Sequence, residues 1–327
     1  MEKRKKKQQL GLFVAVSVIL LILLVCSVIF VDYLLYPDVP EAQQDRKTLW
    51  VGDVSYFPRK DIRLFLLMGI DREGPVSDSG YHRNAGAADV VLVFVFDETA
   101  RKYWVLALNR DSMVEMPVLG IGGKTAGSIT AQLALSYTYG NGLHQSCVNT
   151  KNAVSKLLNN VTIHQYMAMN MDAISILTDA VGGVKVNIQD DFSAVDSSLQ
   201  RGETVLNGQQ AYLFLRSRKD VGDQLNLSRM DRHKEFMSGF LEAFRTKIGK
   251  HISSAMEIYN DISPYVVTDC SDQVLSEMFN RFYYYELVDI ISPSGTNVTG
   301  EEYMEFYIDE DNLFSLVLSL LYTPKVK

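Results

Sequence analysis

Hydrophobic side chains divide the chain beyond residue 60 into short runs of strand length. The first three runs are almost wholly apolar, which is typical of central strands covered on both faces. They are Ile62–Met68, Val90–Phe96 and Tyr103–Leu108. If the middle strand runs antiparallel to the other two, the polar residues at their ends meet at one edge of the sheet. Ligands commonly bind outside such strand ends in open α/β sheets.

Helices and further strands alternate along the rest of the chain. The apolar spacing predicts helices at Ile129–Tyr139, Ser146–Asn159, Asp172–Val181, Gln273–Leu287 and Asn312–Leu321, and strands at Gln165–Asn170, Val184–Ile188 and Tyr303–Ile308. This alternation predicts a layered α/β domain built on a mixed sheet. The domain is expected at residues 61–327, after a polar linker at 32–60 that contains several prolines.

A cluster of basic residues lies where one short helix ends and a longer helix begins. Asn207 and Gln210 predict a capping box for the first helix. Ser228 is the predicted cap of the second helix, in which basic residues three or four apart share one face. The cluster consists of Arg216, Arg218, Arg229, Arg232 and His233.

Such a cluster suits an anion with several oxygens. Guanidinium groups donate two parallel hydrogen bonds, which matches the geometry of phosphate. A helix start adds free N–H groups and the positive end of the helix dipole. We therefore predict that the two helix ends close around a diphosphate. A solvated basic face is the alternative interpretation.

A long uncharged segment follows a basic N-terminus. Residues 1–9 form a basic tail, and Leu10–Val31 is uncharged and long enough to cross a bilayer. The basic residues favour an N-terminus in the cytoplasm and a domain outside the cell. A cleaved signal peptide is the alternative, but the apolar run is long for one and no small-residue cleavage site follows it.

Composition narrows the class of protein further. The 327 residues are 47% hydrophobic and 22% charged, which is ordinary for a globular protein. The formal net charge is -7, although the N-terminal tail is basic. The domain is therefore acidic and a poor general binder of nucleic acid. Cys147 and Cys270 have no metal-type spacing, and we predict that they do not pair.

Seven motifs follow one another along residues 62–244. They are GID at Gly69–Asp71, an aspartate at Asp89, NRDS at Asn109–Ser112, YTYG at Tyr137–Gly140, GGV at Gly182–Val184, LNGQQAYLFLRSRKD at Leu206–Asp220 and SRMDRHKEF at Ser228–Phe236. Each motif is weak alone. Their order and spacing resemble the LytR–CpsA–Psr family of Gram-positive bacteria.

The resemblance implies a function and a site. Proteins of this family transfer glycopolymers, such as teichoic acid or capsule chains, from a polyprenyl diphosphate carrier to peptidoglycan, with release of polyprenyl phosphate. The resemblance also implies an αβα fold with an apolar lipid channel and a divalent metal, Mg²⁺ or Mn²⁺. By position, Asp71 and Asp89 would hold the metal. Diphosphate contacts would come from Arg110, Arg216, Arg218, Arg229, Arg232 and His233. Arg110 and Arg229 would also act in catalysis, with Asp223 as the base that accepts a sugar hydroxyl proton.

Three positions depart from the family pattern. Ala87 stands where the family usually has Arg, Gln132 replaces a Lys, and His233 replaces a Gln. Each lost charged hydrogen bond to phosphate costs about 1.5–3 kcal/mol. The alternatives are therefore a member that binds polyprenyl-linked precursors without efficient turnover, and a membrane-bound regulator. The outward topology and the acidic domain speak against the regulator.

Overall fold

The computed structural model describes residues 48–80, 85–119, 125–217, 221, 226–249, 252–301 and 303–325. These residues all belong to one compact unit, Gln44–Lys327. The predicted tail and the predicted anchor, Leu10–Val31, lie outside the described residues. Within the described ranges, every helix is too short or too polar to cross a membrane.

Among the described residues, seven strands precede the first helix, and helices and strands are interspersed along the rest of the chain, as the sequence predicted for its later part. In chain order the strands are β1 (Leu49–Val51), β2 (Val54–Pro58), β3 (Ile62–Ile70), β4 (Ala88–Asp97), β5 (Lys102–Leu108), β6 (Met113–Leu119), β7 (Thr125–Gln132), β8 (Gln165–Asn170), β9 (Val184–Ile188), β10 (Gly202–Leu206), β11 (Val266–Thr268), β12 (Glu286–Ile291), β13 (Gly295–Thr299), β14 (Met304–Ile308) and β15 (Tyr322–Pro324). The helices are α1 (Leu135–Thr138), α2 (His144–Leu157), α3 (Asp172–Ala180), α4 (Gly208–Arg216), α5 (Asn226–Ile248), α6 (Ile252–Ile262), α7 (Asp272–Phe282) and α8 (Glu310–Leu321).

A six-stranded mixed sheet forms the centre of the domain. Its strand order is β11-β8-β3-β4-β5-β12. Strand β4 runs antiparallel to both β3 and β5, as predicted. Strand β8 runs parallel to β3, and β12 runs parallel to β5. The predicted α/β class with a central mixed sheet is therefore confirmed.

Helices cover both faces of this sheet, but not equally well. On one face Leu64, Leu66 and Met68 of β3 are fully buried. They belong to a core that includes apolar residues of α2 and α8. On the other face Phe65 and Leu67 are only half-buried. This second face packs with α5, α6 and α7 and also lines cavities, which is why an entirely apolar strand is not buried on both sides.

Two predicted boundaries near the N-terminal half are wrong. The predicted linker contains β1 and β2, which form a three-stranded sheet with β15. The predicted helix Ile129–Tyr139 begins as strand, because β7 pairs with β6 as far as Gln132. Only Leu135–Thr138 is helical there. In both places a partner strand distant from the local pattern determines the conformation.

Two predicted helix limits also differ. Ser228 is not the cap of α5, because that helix already begins at Asn226. The predicted helix Gln273–Leu287 ends at Phe282, and β12 begins at Glu286 beside β5. By contrast, the predicted capping box of α4 is present, since Asn207 and Gln210 exchange side-chain and backbone hydrogen bonds. Cys147 and Cys270 do not form a disulfide, as predicted.

A smaller core joins the β9–β10 hairpin to α4 and α5. Helix α5 lies so close to β9 that a Cβ atom on Gly239 would be 2.1 Å from the carbonyl oxygen of Lys185. No side chain fits that distance, so the glycine permits the contact. The close approach helps to fix the position of α5, which carries Arg229 at its start.

We expect Gly239→Ala to destabilise the protein. Overpacking costs about 1–3 kcal/mol, which outweighs the gain of up to about 1 kcal/mol in helix propensity. Denaturant unfolding measures the change. Ser238→Ala, on the exposed neighbouring position of the same helix, is the matched control and should be nearly neutral. Equal stability of the two variants would contradict the close packing of α5 on β9.

Candidate functional site

Asp89 lies in a β-bulge at the edge of the central sheet. Gly69 pairs with Val90 and Ile70 pairs with Ala88, so Asp89 is the extra residue of β4. A bulge bends its strand and redirects the side chain of the extra residue. The backbone N–H of Asp71 donates to the carbonyl of Ala87 at 2.9 Å, which keeps Asp71 beside the bulge. Both predicted metal residues line one cavity as a result.

The carboxylate of Asp89 is shared between two arginines. Arg110, which follows β5, donates to one oxygen of Asp89. Nη1 of Arg229, from the first turns of α5, donates to the other oxygen at 3.0 Å. Arg110 also pairs through Nε with Asp111 at 3.2 Å. Arg229 is only 3% exposed. Three distant parts of the chain thus assemble a nearly buried network of alternating charges.

Beside this network is a cavity of about 450 Å³, here called the amphipathic cavity. Its charged wall contains Asp71, Asp89, Arg216 and Arg229. The remaining wall is mostly apolar. An adjoining cavity of about 250 Å³ is almost wholly apolar. The residues that line both are Leu67, Phe94, Met169, Leu177, Phe240 and Leu241. The arrangement suits a ligand with an anionic head and a long apolar chain.

Arg216 is held differently from the buried arginines. It lies at the exposed end of α4 and pairs with Glu73 and with the hydroxyl of Tyr212. The Tyr212 hydroxyl in turn donates to Oε1 of Glu73 at 2.7 Å. The sequence reasoning missed Glu73 and Tyr212. The spacing of four residues between Tyr212 and Arg216 is a signal that could have identified the second pair.

Arg232 does not join the lining of the amphipathic cavity, contrary to its predicted diphosphate role. Its guanidinium donates to the carbonyls of Phe214 at 3.0 Å and Ser217 at 2.7 Å. It also lies over the ring of Phe192, 5.3 Å from the centroid. Arg232 therefore connects α5 to the C-terminal end of α4, and it stabilises the site without lining the cavity.

His233 lines the amphipathic cavity but carries no charge there. Burial, and then the positive charge of Arg229, lower its pKa from the ordinary 6.5 to about 3. A neutral ring donates one hydrogen bond, and here Nε2 donates to the carbonyl of Leu215 at 3.2 Å. His233 thus contributes a neutral polar group, and the positive charge near the start of α5 comes from Arg229.

Gln132 occupies a buried position behind Arg110. Its amide nitrogen donates to Oδ1 of Asp111 at 3.1 Å and to the carbonyl of Met304 at 2.7 Å. Asp111 in turn pairs with Arg110. Gln132 therefore orients the arginine indirectly, in place of the direct cationic contact expected for the family. Ala87 contributes only its backbone carbonyl, which accepts from Asp71.

The described part of the chain contains no group of three or more His, Cys, Asp or Glu residues arranged to hold a metal. Asp71 and Asp89 offer two carboxylates in the lining of one cavity. That donor set fits Mg²⁺ in particular, which is commonly bound by one or two carboxylates together with substrate phosphate oxygens and water. Arg218 and Asp223 lie outside the described residues, so their roles stay predictions.

The fold and the site define a mixed α/β protein with a carboxylate–guanidinium site at the entrance to an apolar interior. Residues 40–317 match the model of the LytR_cpsA_psr family, so the chain belongs to that family. The resemblance noted from the motifs is therefore confirmed.

Two relatives are both named polyisoprenyl-teichoic acid–peptidoglycan teichoic acid transferase. TagU of Oceanobacillus iheyensis is 26% identical over 227 residues, which cover 69% of this chain and 64% of that protein. TagV of Bacillus subtilis is 24% identical over 295 residues, 85% of this chain and 70% of that protein. The crystal structure of B. subtilis TagV has a TM-score of 0.62 at 22% identity and covers 80% of this chain and 96% of that chain. This last likeness shows the fold alone.

We expect the stability of the protein to fall as the pH drops below about 6.5, in part because of His233. Its pKa is about 3 when folded, so the unfolded chain binds a proton that the folded chain excludes. The stability contributed by the neutral ring is present above the unfolded pKa and is lost as pH falls toward the folded pKa. The slope from this group reaches at most about 1.4 kcal/mol per pH unit.

The measurement compares denaturant unfolding of the wild type and His233→Gln from pH 7.5 to pH 4. Glutamine keeps a hydrogen-bond donor but does not titrate. The wild type should lose more stability than the variant between pH 6.5 and pH 4, and the difference between them should be constant above pH 7. Parallel curves throughout would show that His233 is not held neutral.

Proposed function

We propose that this protein transfers a glycopolymer from a polyprenyl diphosphate carrier to peptidoglycan. The observation that carries the proposal is the amphipathic cavity, whose lining combines Asp89 and Arg229 with apolar side chains, while Arg110 is bound to Asp89 beside it. Family membership and the transferase activity for which both relatives are named support it. The uncharged Leu10–Val31, after a basic N-terminus, supports a single-pass anchor with the domain outside the cell.

The apolar walls would hold the polyprenyl chain. Each buried CH₂ group contributes about 0.8 kcal/mol, so a few isoprene units contribute substantially to carrier binding. Arg110, Arg216 and Arg229 would hold the diphosphate oxygens at the entrance. Arg110 and Arg229 are bound to Asp89 in the structure. The diphosphate therefore has to compete with this carboxylate for their hydrogen bonds.

In the transfer step, a sugar hydroxyl of peptidoglycan attacks the phosphorus that carries the polymer. A new oxygen–phosphorus bond joins the polymer to the acceptor, and the bond between the two phosphoryl groups breaks. Polyprenyl phosphate leaves with the electron pair, and the hydroxyl proton passes to a base, for which Asp223 is our candidate. Phosphoryl transfer depends mainly on positioning and on neutralising the charge of the leaving group, which the arginines provide.

Asp71 and Asp89 would hold a divalent cation, Mg²⁺ or Mn²⁺. When bound, such a cation neutralises phosphate charge and orients the phosphate oxygens. The two carboxylates in the lining of one cavity support this assignment. Since Asp89 lies within hydrogen-bond distance of both arginines, removal of its charge would affect the cation and the arginines together.

A second candidate is a protein that binds the lipid-linked polymer without efficient turnover. The observation that favours it is the lack of charge at two positions of the site. Gln132 is a buried amide bonded to Asp111 and Met304, and His233 has a pKa of about 3. A turnover assay with a polyprenyl diphosphate-linked oligosaccharide separates the two candidate functions. A binding protein without efficient turnover would bind the carrier but release no polyprenyl phosphate.

We expect Arg229→Ala to reduce transfer by at least about 30-fold. The lost contact to phosphate is worth about 2–3 kcal/mol, with an added cost from leaving Asp89 with one arginine fewer. Release of polyprenyl phosphate is the measurement, and thermal unfolding checks the fold. Arg229→Lys keeps the positive charge but cannot donate two parallel hydrogen bonds, so its transfer rate should lie between those of the wild type and Arg229→Ala. Arg281→Ala, an exposed arginine paired with Glu98, is the control. Transfer at the wild-type rate in Arg229→Ala would rule out the site.

We expect a chelator to abolish transfer and Mg²⁺ or Mn²⁺ to restore it. Asp71→Asn and Asp89→Asn should each weaken cation binding, measured by calorimetry in the presence of a polyprenyl diphosphate. Asp231→Asn changes an exposed carboxylate at the start of α5 and is the matched control. Full activity in a metal-free preparation would refute a cation at Asp71 and Asp89.

A further inference from the structure

A second polar cavity, here called the side cavity, opens next to Arg216. Its volume is about 330 Å³, at the lower end of the roughly 300–1,000 Å³ typical of small-ligand sites. Its walls combine two phenol rings with carboxylate, hydroxyl and amide groups. The residues that supply them are Glu73, Asp172, Ser175, Gln209, Tyr212 and Tyr265.

Contacts between side chains of the two linings place the side cavity beside the amphipathic cavity. Glu73 and Tyr212 line the side cavity, and both contact Arg216, which lines the amphipathic cavity. The guanidinium carbon of Arg216 is 5.3 Å from the centroid of the Tyr212 ring. A ligand in the side cavity would therefore lie next to a ligand bound by Arg216.

The walls of the side cavity are held in place without a ligand. The N–H of Gly74 donates to Oδ2 of Asp172 at 2.7 Å, and the amide of Asn170 donates to the carbonyl of Gly74 at 2.8 Å. Ser175 donates to the carbonyl of Gly208 at 3.0 Å, which fixes α3 against the start of α4. A site that is already formed has less entropy to lose when a ligand binds.

We propose that the side cavity binds an uncharged sugar ring of the acceptor glycan. This inference rests on the proposed function. Tyrosine rings offer flat apolar faces for the C–H face of a pyranose. Carboxylates accept hydrogen bonds and side-chain amides both accept and donate them, in fixed directions, so together they can satisfy several neighbouring hydroxyls. The position beside Arg216 would bring the acceptor hydroxyl close to the diphosphate.

Charge assigns the side cavity to the acceptor and not to the donor polymer. Glu73 and Asp172 are acidic, and none of the described residues that line the cavity is Lys or Arg. A polymer linked through phosphates, such as teichoic acid, would be repelled by these carboxylates. A neutral sugar chain would meet no such repulsion, and its hydroxyls would donate to the same oxygens.

The first test measures binding of a neutral probe, the β-1,4-linked tetramer of N-acetylglucosamine, to the full chain in detergent by calorimetry. Gln209→Ala should raise the Kd about fivefold to tenfold, the effect of one hydrogen bond, and Tyr265→Ala by at least as much. Each variant has a matched control. Gln273 is the second residue of α7, as Gln209 is of α4, and Tyr284 is a tyrosine exposed elsewhere. Gln273→Ala and Tyr284→Ala should bind the probe like the wild type.

The second test separates acceptor from donor. In Gln209→Ala the KM for a glycan acceptor should rise, while the Kd for the polyprenyl diphosphate donor stays unchanged. The inference is overturned if the wild type does not bind the tetramer, if Gln209→Ala and Tyr265→Ala bind it normally, or if they weaken donor binding instead. Tetramer binding that depends on both residues, in a wild type without transfer activity, would retain a saccharide site and refute the proposed function.

Discussion

The carboxylate of Asp89, held between Arg110 and Arg229, is the interaction on which the candidate site depends. Withdrawing charges from water costs several kcal/mol per ion, and attraction between them offsets this cost only with good geometry. Apolar residues of similar volume would often stabilise a fold equally well. A nearly buried ion network at the edge of an open cavity is therefore better explained by ligand binding than by stability. The bulge in β4 makes it possible by turning Asp89 toward both arginines.

The cavities in the apolar interior also reduce the stability of the fold. Phe65, Leu67 and Phe94 belong to central strands, yet they face cavities on one side of the sheet. An unfilled cavity loses packing contacts in proportion to its volume, so this half of the domain is less stable than full packing would allow. On the opposite face, Leu64, Leu66 and Met68 are fully buried in a large apolar core. One face of the sheet thus stabilises the fold, and the other is available for a ligand.

The sequence predicted the elements whose signal is local. Strands β8 and β9 have the predicted limits, and the capping box of α4 is present. The bulge at Asp89 was not predictable, because it depends on the register between two strands. The last four residues of β7, 129–132, were predicted as helix because pairing with β6 decides their conformation. Local patterns do not contain such long-range information.

The arginines of α5 show a further limit of sequence reasoning. Residues three apart on a helix differ by about 60° in direction, and residues four apart by about 40° in the opposite sense. Arg232 and His233 therefore flank Arg229 on either side, although spacing alone places all three on one face. The small rotation is enough to direct Arg232 to the carbonyls at the end of α4, away from the cavity lining. Assignment of Arg232 to the diphosphate required more angular precision than the pattern contains.

The arginines around the entrance differ in how easily they can change partner. Arg229 is nearly buried, so loss of Asp89 without a replacement anion would be costly. Arg216 is half exposed, and its pair with Glu73 is worth at most about 1 kcal/mol. Arg216 can therefore exchange Glu73 for a phosphate oxygen at little cost in free energy. In the proposed function, Arg229 would provide a fixed position for the diphosphate, and Arg216 would close on it after it has entered. Release of Glu73 by that movement would also leave a carboxylate free to accept hydrogen bonds in the side cavity, so that occupation of one cavity favours occupation of the other.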